Sequence, residues 1–530
     1  MEKIAKMRDQ EKKEHTLPGT VMDRADSIAI YAGVVCVGII LVILMTCERD
    51  PERLADNKIL ALIALLIMIP IFILYGFFVC REKKFVKYPL LWLALGYVIL
   101  FAAQLFWVNR VYFYTSWDAG LMKFRADAIV NGGSMESVSA DVGYSTCPNN
   151  LFLFYVICVI EKIGKLLSMR EPYHLCIYIS CLCVNLSCFL GNLIIRKLTD
   201  SGIMRGCYFI FSTLLILFSP WIIIPYSDTY GMVFVMLGMW GLVCLEKKYL
   251  KWVVVASAAM IGYCVKPSCL FPLFAAYMVY GVRYMLSIKE HWKELLALIG
   301  GTLLFGGVSI LIPVWIQHTY SFRLNPDLEL PSTHYLMMGF NWETSGGFSV
   351  DDYIYSVNLP DLTTRKQANK EEFSLRFRAF LEQKMLLKFL RKKAVVNFND
   401  GTFAWTGEGS FFIGYVEHDS ILAEWFQETM VPPGVWENEG KYYYLYRTVM
   451  QTIWLAVLMG ILFTGMAAKE KRKHLLCMMI VICGLIAFVM LFEARARYLF
   501  LYAPIFLILS LCGWESLFRR GRKLWDRKCV

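Results

Sequence analysis

Charge is scarce in this chain. Only 18% of its 530 residues are Asp, Glu, Lys or Arg, against roughly 25% in a soluble globular protein. With 58% hydrophobic residues, that scarcity excludes both a disordered chain and a large soluble enzyme. Histidine is rarer still. The seven (His15, His174, His291, His318, His334, His418 and His474) do not pair at metal-ligand spacing. HExxH, a nucleotide P-loop and GxSxG are all missing, which argues against the ATP-driven and zinc-protease classes. Cysteine is not scarce, at 17, but no CxxC pair has zinc-finger spacing. Most of the thiols, such as Cys181, Cys183 and Cys188, lie in apolar runs, where they behave as small hydrophobes. A secretory signal is also missing. Residues 1–26 are polar, and the first apolar run is too long for a cleaved h-region, so it is expected to remain as an anchor. Basic residues form no nucleic-acid-binding motif, so no nucleic-acid partner is expected.

What is present is a series of long apolar runs, with a mean hydropathy of +0.51. A helix needs about 20 apolar residues to cross a bilayer. The sequence offers twelve such runs: 27–47, 59–80, 88–108, 173–195, 206–225, 229–246, 252–268, 270–286, 295–316, 447–467, 475–492 and 498–516. The class is therefore an all-α polytopic membrane protein. A further run, 150–168, carries Glu161, Lys162 and Lys165 in its second half. If it does not cross, Lys and Arg divide into 29 on inner segments and 9 on short outer loops. Cytoplasmic loops favour Lys and Arg. If 150–168 did cross, KEKRK at 469–473 would fall outside. The segment is thus expected along the outer surface as a juxtamembrane helix, its apolar face in the lipid interface. Both termini are expected in the cytoplasm, and the membrane is expected to be the plasma membrane. Four parts follow: a tail with two spans (1–87), a transmembrane module with the first outer loop 109–172 (88–316), an outer region between the ninth and tenth spans (317–446), and three spans with a basic tail (447–530).

The long loops gather on the outer face, and so do the conspicuous charges. Asp118 stands in YFYTSWDAG (112–120), just past a span. Aromatic neighbours at a membrane surface would restrict its hydration and raise its pKa toward that of a general base. A solvated loop acid or a helix cap is the plain alternative. Asp228, in PWIIIPYSDTYGM (220–232), sits in a very short outer turn, where an idle acid is costly. It could equally cap the next helix. Lys266, in YCVKPSCLFP, either snorkels to headgroups or contacts a phosphate. FEARARY (492–498) places Arg495 and Arg497 outside, against the charge trend. Arginine forks match phosphate oxygens, although interfacial anchoring would also account for them.

The outer region contains PSTHYLMMGFNWETSGGFSVDDY (331–353), whose Gly339, Gly346 and Gly347 indicate a turning loop. A helix is expected over 371–395. Phe373, Phe377, Phe380, Lys384 and Lys388 at helical spacing suit a helix lying on headgroups. Trp405, Trp425 and Trp436 follow, as interfacial anchors or sugar-stacking rings.

Taken in order, SWDAG, STCPNNLFLF (145–154), PYSDTYG, the Lys266–Pro267 pair and the Arg-rich turn before the last span resemble the GT-C superfamily of polytopic glycosyltransferases. The group includes protein O-mannosyltransferases and aminoarabinose transferases. The resemblance spans residues 88 to 516, with 27–80 as two extra spans. It implies transfer of a sugar from a polyprenyl-phosphate donor in the outer leaflet to an acceptor hydroxyl of a polymer, lipid or protein. By position, Asp118 would be the general base and Asp228 a supporting acid that orients the acceptor or Asp118. Lys266, Arg495 and Arg497 would offset charge on the leaving phosphate. Trp117, Asn149, Asn150, Tyr226 and His334 would contact acceptor or sugar. Many members carry two adjacent acids in the first loop, whereas Asp118 is flanked by Trp117 and Ala119. A lone carboxylate is a poor divalent site, so neither a metal nor another cofactor is expected. The rival class is a transporter or lipid-linked sugar flippase, which would tend to show inverted repeats and midplane charges. A catalytically inactive partner of a cell-envelope assembly is a third reading.

Overall fold

A computed structural model describes residues 17–79, 90–405, 407, 412–413, 420–434 and 439–528. Trp436, the first sixteen residues and the inner segment 81–87 lie outside the described residues. The chain is an all-α, multi-pass integral membrane protein. Among the described residues, ten helices are long and apolar enough to cross a bilayer, or eleven if one sharply bent pair counts as a span. The reason is visible on their surfaces. On Ile288–Thr319, Leu303, Leu304, Ile310, Leu311 and Val314 are all exposed. An apolar wall of that extent suits hydrocarbon and not water. The centre of the bundle is built from His174–Leu198, Ser227–Cys244, Tyr443–Ile461 and Ala503–Lys528, which pack on one another and on shorter neighbours.

The count is lower than the twelve runs suggested. The run 206–225 does not form one rod. An α-helix, Gly202–Ser212, passes into a π turn, Thr213–Leu217, and then a 3₁₀ turn, Pro220–Ile223. Pro220 has no N–H to donate, and Ser219 before it is extended (ψ 138°), so the helix ends there. The last run is also displaced. A single turn, Arg497–Phe500, precedes Ala503–Lys528, whose first half is buried and whose second half carries Glu515, Arg519 and Arg520.

The segment 150–168 differs from expectation as well. It forms Leu151–Leu166, set at 112° to Ala140–Thr146 across Pro148. Its apolar face, with Leu153, Phe154, Ile157 and Cys158, is buried against Asp118–Val130 and His174–Leu198. That face meets protein, not lipid.

The outer region builds its own small core. Phe340, Phe380 and Phe389 are buried, with Trp342, Phe373 and Phe377 around them. The expected headgroup helix is two helices, Leu362–Glu382 and Leu386–Phe398, and its phenylalanines close this core instead of facing lipid. Gly346 turns the preceding loop with φ +80°. Several contacts fix the region to the rest of the chain. Tyr114–Thr115 pairs antiparallel with Phe412–Ile413. A buried polar hub joins three segments: Arg53 Nη1 donates to Asn57 Oδ1 (3.2 Å) and Asn399 Oδ1 (3.1 Å), and Gln451 Nε2 donates to the same two oxygens (3.1 Å each).

Candidate functional site

Asp118 is the first residue of Asp118–Val130, where a carboxylate complements the helix dipole. The turn before it is tight. A Cβ on Gly120 would stand 1.6 Å from the Thr115 carbonyl oxygen, so only glycine permits this approach. Asp118 is exposed, contrary to the restricted hydration expected for it. The aromatic side chains around it leave its carboxylate open to water because it projects from the helix start. Tyr226 Oη donates to Asp118 Oδ2 at 3.3 Å.

Asp228 lies in the first turn of Ser227–Cys244, directly after that tyrosine. Thr229 Oγ1 accepts from the Tyr226 N–H at 3.3 Å and fixes the helix entry. Asp228 is only 2% exposed and faces two cations. Lys266 Nζ donates to its Oδ1, and Arg497 Nε stands 3.2 Å from its Oδ2. Lys266 reaches it because Pro267 interrupts the helical run and leaves Lys266 extended (φ −155°, ψ 123°). Arg497 is 4% exposed. Its guanidinium lies 4.3 Å over the Trp117 ring and 5.4 Å from that of Tyr226. Two cations therefore share one buried carboxylate. Trp117 and Tyr226, in edge contact at 4.9 Å, separate it from Asp118.

A second pair adjoins the triad. Glu493 is buried, accepts from Arg495 Nε, and accepts from Tyr498 Oη at 3.0 Å. Lys266 Nζ lies 4.3 Å over the Tyr498 ring, which links the two groups. Arg495 thus belongs to Glu493 and lies over Phe348 (5.6 Å), not in the Asp228 triad. Asp118, Tyr335 and Glu493 are neighbours of Cys147.

The remaining predicted residues sit elsewhere. Asn149 and Asn150 follow Cys147 at the 112° bend, where Asn149 Nδ2 donates to Asn150 Oδ1 at 3.2 Å. His334 is not in the cluster. It is 1% exposed, with Nδ1 2.7 Å from Ser356 Oγ, and burial pushes its pKa down to about 4. It is a neutral strut of the outer region. Trp405 is a buried core residue whose Nε1 donates to the Met430 carbonyl at 2.8 Å, while Trp425 is exposed. Asp228 meets Lys266 and Arg497.

Glu493, Tyr498 and Trp221 are the members that sequence reasoning left without a role. The spacing in FEARARY held the signal for two of them: an acid two residues before Arg495 and five before Tyr498. Lys393 is another. It is fully buried in Leu386–Phe398, and its Nζ donates to the Gly339 carbonyl and, at 2.6 Å, to that of Phe492. Burial pushes its pKa down to about 7.

An apolar cavity of about 330 Å³ lies nearby, lined by Ala103, Phe106, Trp107, Phe218, Leu422 and Trp425 among others. A series of ring contacts leads from it toward Trp117: Trp107–Phe426 (6.2 Å), Phe426–Phe113 (5.9 Å), Phe113–Trp405 (5.6 Å), Trp405–Trp221 (5.7 Å) and Trp221–Trp117 (6.3 Å). Among the described residues, no group of three or more His, Cys, Asp and Glu side chains is placed to hold a metal ion.

No curated protein and no solved structure matches the chain. A family model described as "conserved hypothetical integral membrane protein" matches residues 48–518, which include both acids, the three cations and the whole outer region. The chain belongs to that family of integral membrane proteins.

Proposed function

We propose that this protein is a membrane glycosyltransferase that moves a sugar from a polyprenyl-phosphate donor to an acceptor hydroxyl. The reaction runs at the outer face of the plasma membrane, with both termini in the cytoplasm. One observation carries the reading: an exposed carboxylate, Asp118, stands across a two-ring partition from two cations, Lys266 and Arg497, held on the buried Asp228. An inverting transfer needs a base for the acceptor proton and cations for the leaving phosphate.

In that reaction Asp118 accepts the proton of the acceptor hydroxyl. The acceptor oxygen forms its bond to the anomeric carbon as the bond from that carbon to the phosphate oxygen breaks. The phosphate leaves with the electron pair, and Lys266 and Arg497 offset its charge. Asp228 takes no proton; it holds Lys266 and Arg497 in place at rest, so little reorganisation is needed as charge develops. Trp117 and Tyr226 flank the sugar, and Asn149 and Asn150 meet the acceptor from the bend. The apolar cavity and its ring series suit the first isoprene units of a donor lipid.

The test uses membranes containing wild type or Asp118→Asn, supplied with a radiolabelled polyprenyl-phosphate sugar. Label transfer by wild type and its loss in the variant is the expected result. Equal transfer by both would remove Asp118 as base. If neither turns over donor while wild type shows ion- or proton-coupled uptake, a transporter replaces this reading.

A further inference from the structure

The helices Lys248–Val265 and Lys469–Leu491 each run from one end of the bundle to the other, and each ends beside the acid and cation site. Their opposite ends carry Lys251 and Lys473. Both ammonium groups lie over one ring, that of Tyr280, at 5.3 Å and 4.3 Å from its centre. The two charges are therefore within about a Debye length of each other, roughly 10 Å at 0.1 M salt. Both side chains are half-buried, where water screens them poorly.

The acids nearby are engaged elsewhere. Asp26 is bonded to Arg283, and Glu246 pairs with Lys197 at 2.8 Å. Among the described residues, neither Lys251 nor Lys473 has a carboxylate at ion-pair distance. The next residue, His474, has a buried Nδ1 without a hydrogen-bond partner among the described residues, and its charged neighbours are Lys473, Lys251 and Lys197. Three basic groups gather where, among the described residues, no acid pairs with them. The adjoining surface is apolar and aromatic: Tyr249, Leu250, Met285, Leu286 and Trp292 are all exposed. Such a border suits a membrane interface.

We propose that Lys251 and Lys473, with His474 beside them, form a binding site for a phosphate-bearing anion at the end of the bundle opposite Asp118. The bordering surface favours the headgroup phosphate of an anionic lipid, whose tails would lie along the exposed apolar helices. The site is independent of the transferase reading.

The test is thermal unfolding of the full chain in neutral detergent, with added phosphatidylglycerol, phosphatidylcholine or inorganic phosphate. Phosphatidylglycerol is expected to raise the Tm of wild type by several degrees over phosphatidylcholine. Lys251→Gln with Lys473→Gln should lose most of that rise, and Lys473→Arg should keep it. Without any anion the double variant should melt as high as wild type or higher, because a repulsion has been removed. If inorganic phosphate alone reproduces the rise, the site stands and its ligand is the soluble ion. An equal rise in wild type and double variant, or none in wild type, overturns the proposal. So does a double variant that melts lower than wild type without anion, since the lysines would then serve packing alone.

Discussion

The two ends of Lys248–Val265 and Lys469–Leu491 solve one electrostatic problem in opposite ways. At the Asp118 end, Lys266 is half-buried and Arg497 is buried, and the carboxylate they share, Asp228, is buried with them. At the other end, Lys251 and Lys473 both lie over Tyr280, and among the described residues no acid pairs with either. The first arrangement is complete in the protein alone and holds its cations in fixed positions. The second has its balancing charge still to come. A built-in counter-ion fixes geometry, and a missing one makes room for a ligand.

The largest test of this contrast is Asp228→Ala. It leaves two cations without their shared buried carboxylate, and breaking a buried pair in this way costs roughly 3–5 kcal/mol. Chemical denaturation in detergent would show the loss, and label transfer should fall with it. An effect as small as that of a surface substitution would mean that the Asp118 end is no more self-contained than the other. Asp118→Asn comes next. Transfer should drop by on the order of 100-fold or more, as for loss of a general base. Its melting temperature should fall only slightly, because the side chain is exposed, its bond to Tyr226 is long, and an exposed charge at a helix start is worth at most about 1 kcal/mol.

A smaller effect is expected from pH. His334 has a folded pKa near 4 against an ordinary 6.5, because burial disfavours its charged form. Between those values the unfolded chain binds the extra proton. The stability linked to His334 is therefore full above pH 6.5 and falls as pH drops toward 4, by at most ~3 kcal/mol. Denaturation at pH 7 and pH 5 should show that slope, and His334→Gln should remove its share. Smallest is Lys473→Gln in anion-free detergent. Relief of one like-charge contact is worth a few tenths of a kcal/mol, read as a slight rise in Tm. A clear fall would show that the Lys473 end is already balanced.

Much of this was legible in the sequence, for a physical reason. Apolar runs mark spans because hydrocarbon tolerates little else, so runs such as 173–195 and 295–316 reappear as His174–Leu198 and Ile288–Thr319. Asp118, Asp228, Lys266 and Arg497 each stand where a helix begins or ends on one face, so the charge pattern alone brought them near one another. What each one pairs with was not legible. Glu493 lies two residues from Arg495 in the chain and bonds to it, but Asp228 and Arg497 are far apart in sequence and meet only through folding. Apolar faces raise the same difficulty. The face of Leu151–Leu166 and the phenylalanines of 373–380 look alike whether lipid or protein covers them, and here protein does. Pro220 was the one local signal that could have divided the run 206–225.

Lys393 makes the outer region and the ion triad parts of one mechanism. Its ammonium bonds to the carbonyl of Phe492, five residues before Arg497, and to that of Gly339 in the outer region. The outer helices are thereby tied to the backbone that leads to the arginine over Trp117. The joint also has a setting. With its pKa near 7, Lys393 is a charged donor in mild acid and a neutral one in mild base. Charged donors make the stronger bonds, so this tie weakens as pH rises through that value.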